Sequence, residues 1–407
     1  MALNFNHDGR TGYVELNNPP VNAINAAMRR ELLDAARSAE KLNLERVIVS
    51  GLGRAFAAGA DAKEFDGDPI QPHLPDVLDA IDQSFVPWIA AINGVALGGG
   101  AEIALACRMR IMHPKAQIGF PEVSLGVIPG AGGTQRLPRL IDLENALDMI
   151  CCGKPISAAK AQSMGLIQDI DNDVVQAALE VNAEDLVCRV PTWKLPFPDW
   201  DQVIADRITQ KIDHRMARQN APKRALEIAK FGSEMPFELA IQHERNAFLT
   251  LRTEPQARAL RHMFFAERAA KLPSDIENEP ADMNDICVVG GGTMGAGIAY
   301  ACISAGYSIL LIEEDADGIE RARYNIGRLI QAGVERGLIN EAKKVALEAK
   351  ISYSNDYAAT AKVDLVIEAA FENMDVKKNI FAQLDAHVPE HAILATNTSY
   401  LDVNEIA

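Results

Sequence analysis

Two glutamates stand in segments that are otherwise apolar or rich in glycine. Glu102 lies in GGGAEIALAC, and Glu122 follows Pro121 in GFPEVSLGVIPGAGGTQR. Burying a carboxylate without a partner is unfavourable, so an acid in an apolar helix is informative. A pair of carboxylates is suited to general acid/base chemistry. The alternative for Glu102 is a helix N-terminal acid favoured by the helix dipole, and for Glu122 a surface loop acid.

Three glycine-rich blocks accompany these acids. They are FAAGAD at 56–61, NGVALGGGAE at 93–102 and GFPEVSLGVIPGAGGTQR at 119–136. Glycine permits backbone conformations and close approaches that a side chain would obstruct, which suits positions where backbone amides must face a ligand. A plain tight turn is the alternative for each block taken alone. No single block is therefore specific for a ligand site.

Together, in this order, the three blocks resemble the crotonase superfamily, and VNAIN at 21–25 adds a fourth matching segment. The resemblance covers roughly residues 1–270. It implies that the amides of Ala60 and Gly99 bind the thioester oxygen of an acyl-CoA. Addition to an unsaturated thioester puts enolate charge on that oxygen, and preorganised amides stabilise the charge most in the transition state. Because the donors are backbone groups, the side chain at each position only has to permit the turn. We therefore expect Gly99 to tolerate no bulky side chain.

Hydratases of that superfamily use a glutamate directly after GGGx and another in the xxPE segment, which correspond here to Glu102 and Glu122. The resemblance implies that Glu102 holds and deprotonates water and that Glu122 protonates C2 of 2-trans-enoyl-CoA, giving 3-hydroxyacyl-CoA. Isomerisation of Δ3 to Δ2 enoyl-CoA needs only one acid/base, so Glu122 is also compatible with that activity. The rival class is a noncatalytic CoA- or NAD-binding module, which has no need for two acids.

A second set of residues with chemical meaning begins after 286–289. GGGTMG places Gly290, Gly292 and Gly295 in a GxGxxG pattern, and the next predicted strand ends at Glu313, 18 residues after Gly295. Such glycines let a pyrophosphate approach the helix N-terminus, and an acid at this distance binds ribose hydroxyls. The pattern predicts NAD rather than NADP, because the carboxylate repels a 2′-phosphate. FAD, and a glycine turn without a ligand, are the alternatives.

Two later segments, DLVIEAAFENMDVKKNIF at 364–381 and ATNTSYL at 395–401, resemble the 3-hydroxyacyl-CoA dehydrogenase family. The resemblance implies two contacts on the cofactor side and two on the substrate side, namely Glu372 and Lys377, and Asn397 and Ser399. A solvated helix lysine is the alternative for Lys377.

The catalytic histidine of that family lies on the strand after the Asn-Thr-Ser segment, and a helical substrate domain follows. The sequence ends at Ala407, eight residues after Ser399, and His387 and His391 precede the segment. The order of the two resemblances is that of the bifunctional enzymes of fatty acid β-oxidation. We therefore expect a chain truncated at its C-terminus, which hydrates enoyl-CoA but does not oxidise 3-hydroxyacyl-CoA.

The elements that must position these residues follow from hydrophobic periodicity. The pattern predicts strands at 12–16, 46–50, 88–92 and 109–112, helices at 26–39 and 102–107, and mainly helices from about 143 to 272. A β-α-β unit then follows, with strands at 286–289 and 309–312. The predicted fold class is α/β: a crotonase-type β-α superhelical core with C-terminal helices, followed by a Rossmann-type doubly wound parallel sheet domain.

The length of 407 residues indicates at least two domains. PSDIENEPAD has the composition of an exposed connection, which predicts a linker at 273–283. The expected domains are a crotonase-like hydratase/isomerase domain at 1–272 and an incomplete NAD-binding domain at 284–407.

The formal net charge of −16 argues against nucleic acid or an anionic membrane as the main partner. An acyl-CoA, itself polyanionic, requires a local basic or backbone-amide site. The six cysteines have no metal-ligand spacing, so we expect no metal and reduced core thiols. Segment 85–107 has the length of a membrane span, but its glycines, Pro87 and acid favour a strand, a turn and a helix.

No secretory signal is recognisable at the N-terminus. We expect a cytoplasmic protein of bacterial type, or a peroxisomal one if the organism is a eukaryote. The sequence leaves open the acyl chain length, self-association and a thiolase partner.

Overall fold

A computed structural model describes residues 2–271 and 283–407. The chain divides into two units, Met1–Ile276 and Glu277–Ala407. The linker predicted at 273–283 lies outside the described residues except for Met283. The domain boundaries therefore stay predictions, whereas the α/β fold class of both units is confirmed.

The strands described in the first unit form two sheets. They are β1 Leu3–His7, β2 Thr11–Leu16, β3 Arg46–Gly51, β4 Ala55–Ala57, β5 Trp88–Ile92, β6 Val95–Leu97, β7 Met109–Met112, β8 Gln117–Gly119, β9 Ile156–Ser157 and β10 Asp169–Ile170. One sheet has the order β1-β2-β3-β5-β7-β10 and the other β4-β6-β8-β9. From β3 to β8 the chain alternates between the two sheets. This repeated turn is the superhelical core that the sequence predicts.

The longer strands of this unit were predictable because they are buried on both faces. All five residues of β5 and the first four of β3 are buried. Parallel strands covered on both faces form continuous apolar runs of this kind. The four predicted strands agree with β2, β3, β5 and β7 to within one residue at each end. By contrast, β4, β6 and β8 have three residues each, which is too short for a hydrophobic period.

Helices cover the sheets and form the second half of this unit. They are α1 Ala26–Lys41, α2 Leu74–Asp82, α3 Gly99–Ala106, α4 Gly133–Arg136, α5 Leu143–Cys152, α6 Ala158–Ser163, α7 Val174–Glu180, α8 Ala183–Cys188, α9 Gln202–Met216, α10 Asn220–Glu234, α11 Phe237–Thr253 and α12 Pro255–Lys271. Segment 85–107 folds as β5, β6 and α3, which confirms the strand-turn-helix interpretation. Within 2–271 and 283–407, no helix has the length and apolar character needed to cross a membrane.

The described part of the second unit has a five-stranded parallel sheet of order β13-β12-β11-β14-β15. The strands are β11 Asp285–Val289, β12 Ser308–Ile312, β13 Ile351–Ser354, β14 Leu365–Glu368 and β15 Ile393–Thr396, and the helices are α13 Thr293–Ala305, α14 Ala316–Glu335, α15 Glu341–Glu348, α16 Met374–Asp385 and α17 Val403–Ile406. Ile286 and Val288 of β11 pack in one core with Ile303 of α13. Cys287 packs in a second core with Leu384 of α16. Helices thus cover both faces, which confirms the doubly wound Rossmann-type sheet.

The interpretation of all cysteines as core thiols is wrong for Cys188, which is exposed. Its helix α8 buries Leu186. A residue two positions further along a helix points to the opposite side, because each residue turns the helix by about 100°.

Candidate active site

Both predicted glutamates and both predicted amide donors line one cleft of the first unit. Ala60, Gly99, Glu102 and Glu122 are among its lining residues, and its volume is about 890 Å³ including the open mouth. This volume lies within the range of sites for small molecules and cofactors. The fold therefore brings all four predicted residues into a single site.

The amides of Ala60 and Gly99 lie side by side at one wall of the cleft. Ala60 pairs with Ile24, whose amide donates to the carbonyl of Gly59 at 2.9 Å. Gly99 is the first residue of α3, so its N–H has no acceptor within the helix. A Cβ atom on Gly99 would lie 3.4 Å from the amide nitrogen of Ala60. Two neighbouring backbone donors of this kind can bind one developing oxyanion.

Gly98 connects this pair of amides to Glu122. It has φ +52° and ψ −123°, a conformation that residues with a side chain rarely adopt. A Cβ atom at this position would lie 2.8 Å from Oε1 of Glu122. Gly98 is therefore required both for the turn that begins α3 and for the position of the Glu122 carboxyl.

Glu102 lies in the first turn of α3 and is buried. Its Oε1 accepts hydrogen bonds from the amides of Ala131 and Gly133, at 2.8 and 2.9 Å. Burial raises the pKa of Glu102, and the two amide donors act in the opposite direction. Since these donors stabilise the charged form, the carboxylate of Glu102 is equipped to accept a proton.

Glu122 lies in a short 3-10 helix, Pro121–Leu125, and its environment differs from that of Glu102. Its Oε2 is buried and has no hydrogen-bond partner among the described residues. Burial, and then the nearby charge of Glu102, raise the pKa of Glu122 well above its ordinary value. Both effects favour the protonated form of Glu122. One cleft holds a carboxyl suited to donate a proton and another suited to accept one.

Helices α11 and α12 pack against the loop 126–133, whose amides at 131 and 133 bind Glu102. Gly126 lies against α12, where an added Cβ would be 2.6 Å from Cα of Ala257. Gly130 lies against α11, where an added Cβ would be 2.5 Å from Cγ of Phe248. Because the backbone of the loop lies this close to both helices, the loop has little room to move. The helical segment after residue 143 thus supports the site in addition to closing the core.

Three arginines line the cleft, namely Arg29, Arg245 and Arg252, but Glu64 and Asp68 line it as well. Arg29 is paired with Glu64 at 2.8 Å, and Arg252 donates to the carbonyl of Gly67 at 2.6 Å. Guanidinium groups suit phosphate oxygens. A local basic site for a CoA ligand therefore stays a prediction.

A third buried acid, Glu244 of α11, was missed by the sequence analysis. It is fully buried and accepts hydrogen bonds from the amides of Gly132 and Thr134, at 2.5 and 2.9 Å, and from the hydroxyl of Thr134. A signal was available: Glu244 occupies a position in the buried stripe of α11, between Ile241 and Phe248. An acid on the apolar face of an amphipathic helix indicates a buried polar contact.

Because the pKa of Glu244 is raised, we expect the first unit to lose stability as the pH rises. Burial, and then the charge of Glu102, raise the pKa of Glu244 from 4.5 to about 8. Between these values the folded state keeps a proton that the unfolded state has lost, so the free energy of unfolding falls as pH rises from about 4.5 to about 8. The Glu244→Gln variant has no such proton, so its free energy of unfolding should depend less on pH over this range.

Urea unfolding followed by tryptophan fluorescence measures this effect, because Trp88, Trp193 and Trp200, the three tryptophans of the chain, all belong to the first unit. The control is Glu238→Gln, an exposed glutamate of the same helix. Equal slopes for Glu244→Gln and the unmodified chain would contradict the prediction.

The predicted glycine turn of the second unit connects β11 to α13. Gly290 has φ +95°, and a Cβ on Gly295 would overlap the carbonyl oxygen of Gly290. A Cβ on Gly292, the N-cap of α13, would meet nothing within 4 Å. Gly290 and Gly295 thus shape the turn, and Gly292 leaves the helix N-terminus open. This arrangement fits the pyrophosphate of a dinucleotide.

Glu313 lies directly after β12, next to this turn. Its Oε1 accepts a hydrogen bond from the amide of Gly291 at 2.5 Å. The carboxylate is therefore at the edge of the sheet where the ribose of a dinucleotide would lie beside the glycine turn. Its position fits NAD.

Lys377 is fully buried, so its interpretation as a solvated helix lysine is wrong. Its ammonium contacts both carboxylate oxygens of Glu368 at 2.8 Å and Oε2 of Glu372 at 3.2 Å. Glu368, at the end of β14, was not predicted; it also accepts a hydrogen bond from the hydroxyl of Thr396 at 2.6 Å. Lys377 of α16 thus contacts the end of β14, and Glu368 in turn contacts β15. A direct contact between Lys377 and the cofactor stays a prediction.

Glu372 joins the two segments that resemble the dehydrogenase family. It accepts hydrogen bonds from the hydroxyl of Thr398 at 2.6 Å and the amide of Ser399 at 3.0 Å, which lower its pKa to about 2. The amide of Asn397 donates to the carbonyl of Glu368 at 2.7 Å. Glu372, Asn397 and Ser399 thus lie at the carboxyl ends of β14 and β15, the edge where ligands bind in such sheets. Their contacts with cofactor or substrate stay predictions.

No group of three or more His, Cys, Asp or Glu side chains within 2–271 and 283–407 is arranged to hold a metal ion.

Residues 8–191 match the family described as enoyl-CoA hydratase/isomerase, and residues 285–407 match the 3-hydroxyacyl-CoA dehydrogenase NAD binding domain. The peroxisomal bifunctional enzyme of Cavia porcellus is 35% identical over 97% of this chain and 56% of its own length. The human protein of the same name is 34% identical over 97% and 56%. A glyoxysomal fatty acid beta-oxidation multifunctional protein of Brassica napus is 34% identical over 97% and 57%. The chain spans just over half the length of these curated relatives.

The first unit also has a counterpart among solved structures. The crystal structure of an enoyl-CoA hydratase/isomerase from Pseudoalteromonas atlantica T6c has a TM-score of 0.51 and 22% sequence identity. The similarity covers 66% of this chain and 98% of that one. It supports the fold.

Proposed function

We propose that the first unit hydrates 2-trans-enoyl-CoA to 3-hydroxyacyl-CoA in fatty acid β-oxidation. Residues 8–191 match the enoyl-CoA hydratase/isomerase family, and residues 285–407 match the NAD binding domain of 3-hydroxyacyl-CoA dehydrogenases. The single observation that supports this most is the cleft in which two carboxyls with unlike environments lie beside two adjacent backbone donors.

In the proposed mechanism, the amides of Ala60 and Gly99 bind the thioester oxygen and stabilise the enolate charge as water adds to C3. Glu102 takes a proton from that water, and Glu122 gives its proton to C2. Each amide donor contributes roughly 3–4 kcal/mol of transition-state stabilisation in sites of this kind. The roles follow from the environments: Glu102 has amide donors for its charged form, whereas Glu122 has a buried oxygen without a hydrogen-bond partner in the described part of the chain.

The test is hydration of crotonyl-CoA, followed as the loss of absorbance at the enoyl-thioester band. A noncatalytic CoA-binding module is the competing proposal, and it predicts binding without any change in absorbance. Two acids in the cleft argue against that module, because binding alone requires neither. If the chain bound crotonyl-CoA without hydrating it, the hydratase proposal would be wrong.

Isomerisation of Δ3-enoyl-CoA to the Δ2 compound is a second candidate activity of the same cleft. The observation that favours it is the contact between Glu122 and the turn at Gly98, which places one acid/base carboxyl next to the amide pair. Isomerisation removes a proton from C2 and returns one to C4, so it requires one such group and a stabilised enolate oxygen. Only the deprotonated fraction of Glu122 can begin this transfer.

We further propose that the second unit binds NAD, as the NAD-binding part of a 3-hydroxyacyl-CoA dehydrogenase, whose substrate is the product of the first unit; dehydrogenation by the residues of this chain alone is not proposed. NAD supplies the hydride acceptor when bound. The residues of this chain that would hold it are the glycine turn at 290–295, for the pyrophosphate, and Glu313, for the ribose hydroxyls. Support comes from the open helix N-terminus at Gly292 and from the position of Glu313 beside the turn.

Replacing Glu313 by alanine should weaken NAD binding by about 10- to 100-fold, the effect of losing one or two hydrogen bonds to a charged group. Discrimination against NADP should fall as well, because the carboxylate no longer repels the 2′-phosphate. Calorimetric titration with both nucleotides measures the two effects. The control is Glu314→Ala, which removes the adjacent exposed acid. Tighter binding of NADP than NAD by the unmodified chain would contradict the proposed selectivity.

The compartment is also a proposal. The names of the relatives place those proteins in peroxisomes or glyoxysomes. This supports the peroxisomal alternative for a eukaryotic protein, and a bacterial cytoplasmic location stays a prediction.

A further inference from the structure

The glycine-rich segment 131–134 donates its four successive amides to two buried glutamates. The first and third amides bind Oε1 of Glu102 at 2.8 and 2.9 Å. The second and fourth bind the two carboxylate oxygens of Glu244 at 2.5 and 2.9 Å. The segment is thus held between a carboxyl of α3 and a carboxyl of α11, which lie 142 residues apart in the sequence.

The two sets of hydrogen bonds depend on each other, because consecutive peptide units are joined at a common Cα atom, so that rotating one unit changes the dihedral angles of the next. Gly132 has φ +106°, a left-handed conformation that makes the alternation of amide directions possible. If Glu244 loses an acceptor oxygen, a buried amide is left without a partner, and such groups reorient toward other acceptors. Reorienting the peptide at 132 or 134 also turns the amides at 131 and 133 away from Glu102.

We propose that Glu244 is a positioning residue for hydration, which holds the segment 131–134 so that two of its amides keep Glu102 oriented as the proton acceptor. The inference rests on the proposed hydratase function of the cleft. Glu244 itself is not a catalytic residue, since it acts through the segment rather than on the substrate.

The charges around Glu244 determine the direction of the effect. Glu102 and Glu122 interact with it through their negative charge, whereas the positive charges of Arg136 and Arg245 lower the pKa of Glu102. Replacing Glu244 by glutamine leaves one acceptor oxygen where two oxygens now accept amide hydrogen bonds, and a loss of negative charge beside Glu102 would by itself lower the pKa of Glu102. Loss of amide donors raises the pKa of Glu102, so the limb of kcat/KM that reports the base should move to higher pH.

The experiment compares hydration of crotonyl-CoA by the unmodified chain, Glu244→Gln and Glu238→Gln over a range of pH. Glutamine keeps the size of the side chain but offers one acceptor oxygen instead of two. We expect kcat of Glu244→Gln to fall on the order of 10- to 100-fold, as for a misplaced catalytic group, with KM changed less than about twofold. The limb of its kcat/KM profile that reports the base should move to higher pH. Glu238→Gln changes an exposed acid of the same helix and should match the unmodified chain.

A second variant covers the case in which Glu244→Gln does not fold. Thr134→Val removes only the hydroxyl that binds Glu244 and leaves both glutamates in place. A smaller decrease in kcat with a shift of the limb in the same direction is expected. Tryptophan fluorescence unfolding on each sample gives the folded fraction.

The outcomes separate the two proposals. If the unmodified chain does not hydrate crotonyl-CoA, the proposed function fails. If it does, but folded Glu244→Gln has an unchanged kcat and pH profile, the positioning role is wrong. A limb that moves to lower pH would mean that Glu244 acts through its charge, and a loss of rate that matches the loss of folded protein would mean a purely structural role. Either result overturns the inference.

Discussion

Replacing Glu102 or Glu122 by glutamine is expected to lower kcat for hydration of crotonyl-CoA by a factor on the order of a hundred or more. Each change removes one of the two groups that move protons, whereas the shape of the side chain is kept. Glu122→Gln removes the acid that protonates C2. Glu102→Gln removes the base and also replaces an acceptor that binds the amides of Ala131 and Gly133. Substrate binding should persist in both variants.

Hydration of crotonyl-CoA and equilibrium binding of the same compound measure these two effects on one sample. Isomerisation of a Δ3-enoyl-CoA, tested in parallel, should be abolished by Glu122→Gln and retained by Glu102→Gln. The exposed Glu238→Gln variant again serves as the control. Near-normal turnover of crotonyl-CoA by either cleft variant would show that the role assigned to that glutamate is wrong.

The second large effect is expected in the second unit, where Gly295→Ala should weaken NAD binding by a factor on the order of a hundred or more. A Cβ at this position would overlap the carbonyl oxygen of Gly290, so α13 must move away from the end of β11. The backbone donors at the helix N-terminus then lose the pyrophosphate. Several hydrogen bonds to a charged group, each worth about 1.5–3 kcal/mol, are affected together.

Gly297→Ala is the matched control, because it adds the same methyl group to the same helix. A Cβ on Gly297 would meet nothing within 4 Å, and alanine is favoured over glycine inside a helix by about 1 kcal/mol. NAD binding by this variant should equal that of the unmodified chain. Circular dichroism verifies that both variants fold. If Gly295→Ala bound NAD as tightly as Gly297→Ala, the glycine turn would not be the pyrophosphate site.

Several features were predictable because local sequence determines them. Buried parallel strands such as β3 and β5 are continuous apolar runs, and their bounds follow from the sequence to within one residue. The glycine turn at 290–295 was predictable for a similar reason, since its close contacts join residues five positions apart. Glu313 follows from the length of one β-α-β unit.

Other features depend on contacts between distant segments, which no local pattern reports. The hydrogen bonds of Glu244 to the segment 131–134 span more than a hundred residues. Lys377 and Glu368 are close in the sequence, but their contact joins a helix to the end of a strand. The sequence predicts Lys377 as a cofactor contact or a solvated lysine, because no local pattern indicates that its ammonium contacts the buried Glu368 and the partly exposed Glu372.

The two cleft glutamates distinguish what the sequence determines from what only the tertiary structure decides. The residue types and glycine blocks around Glu102 and Glu122 identify a pair of carboxyls suited to acid/base chemistry. Which of them holds its proton is decided by the fold alone, because a pKa depends on burial and on the groups in contact. Two amides from the segment 131–134 stabilise the charged form of Glu102. Glu122 has a buried oxygen with no partner within 2–271 and 283–407, and the charge of Glu102 raises its pKa further.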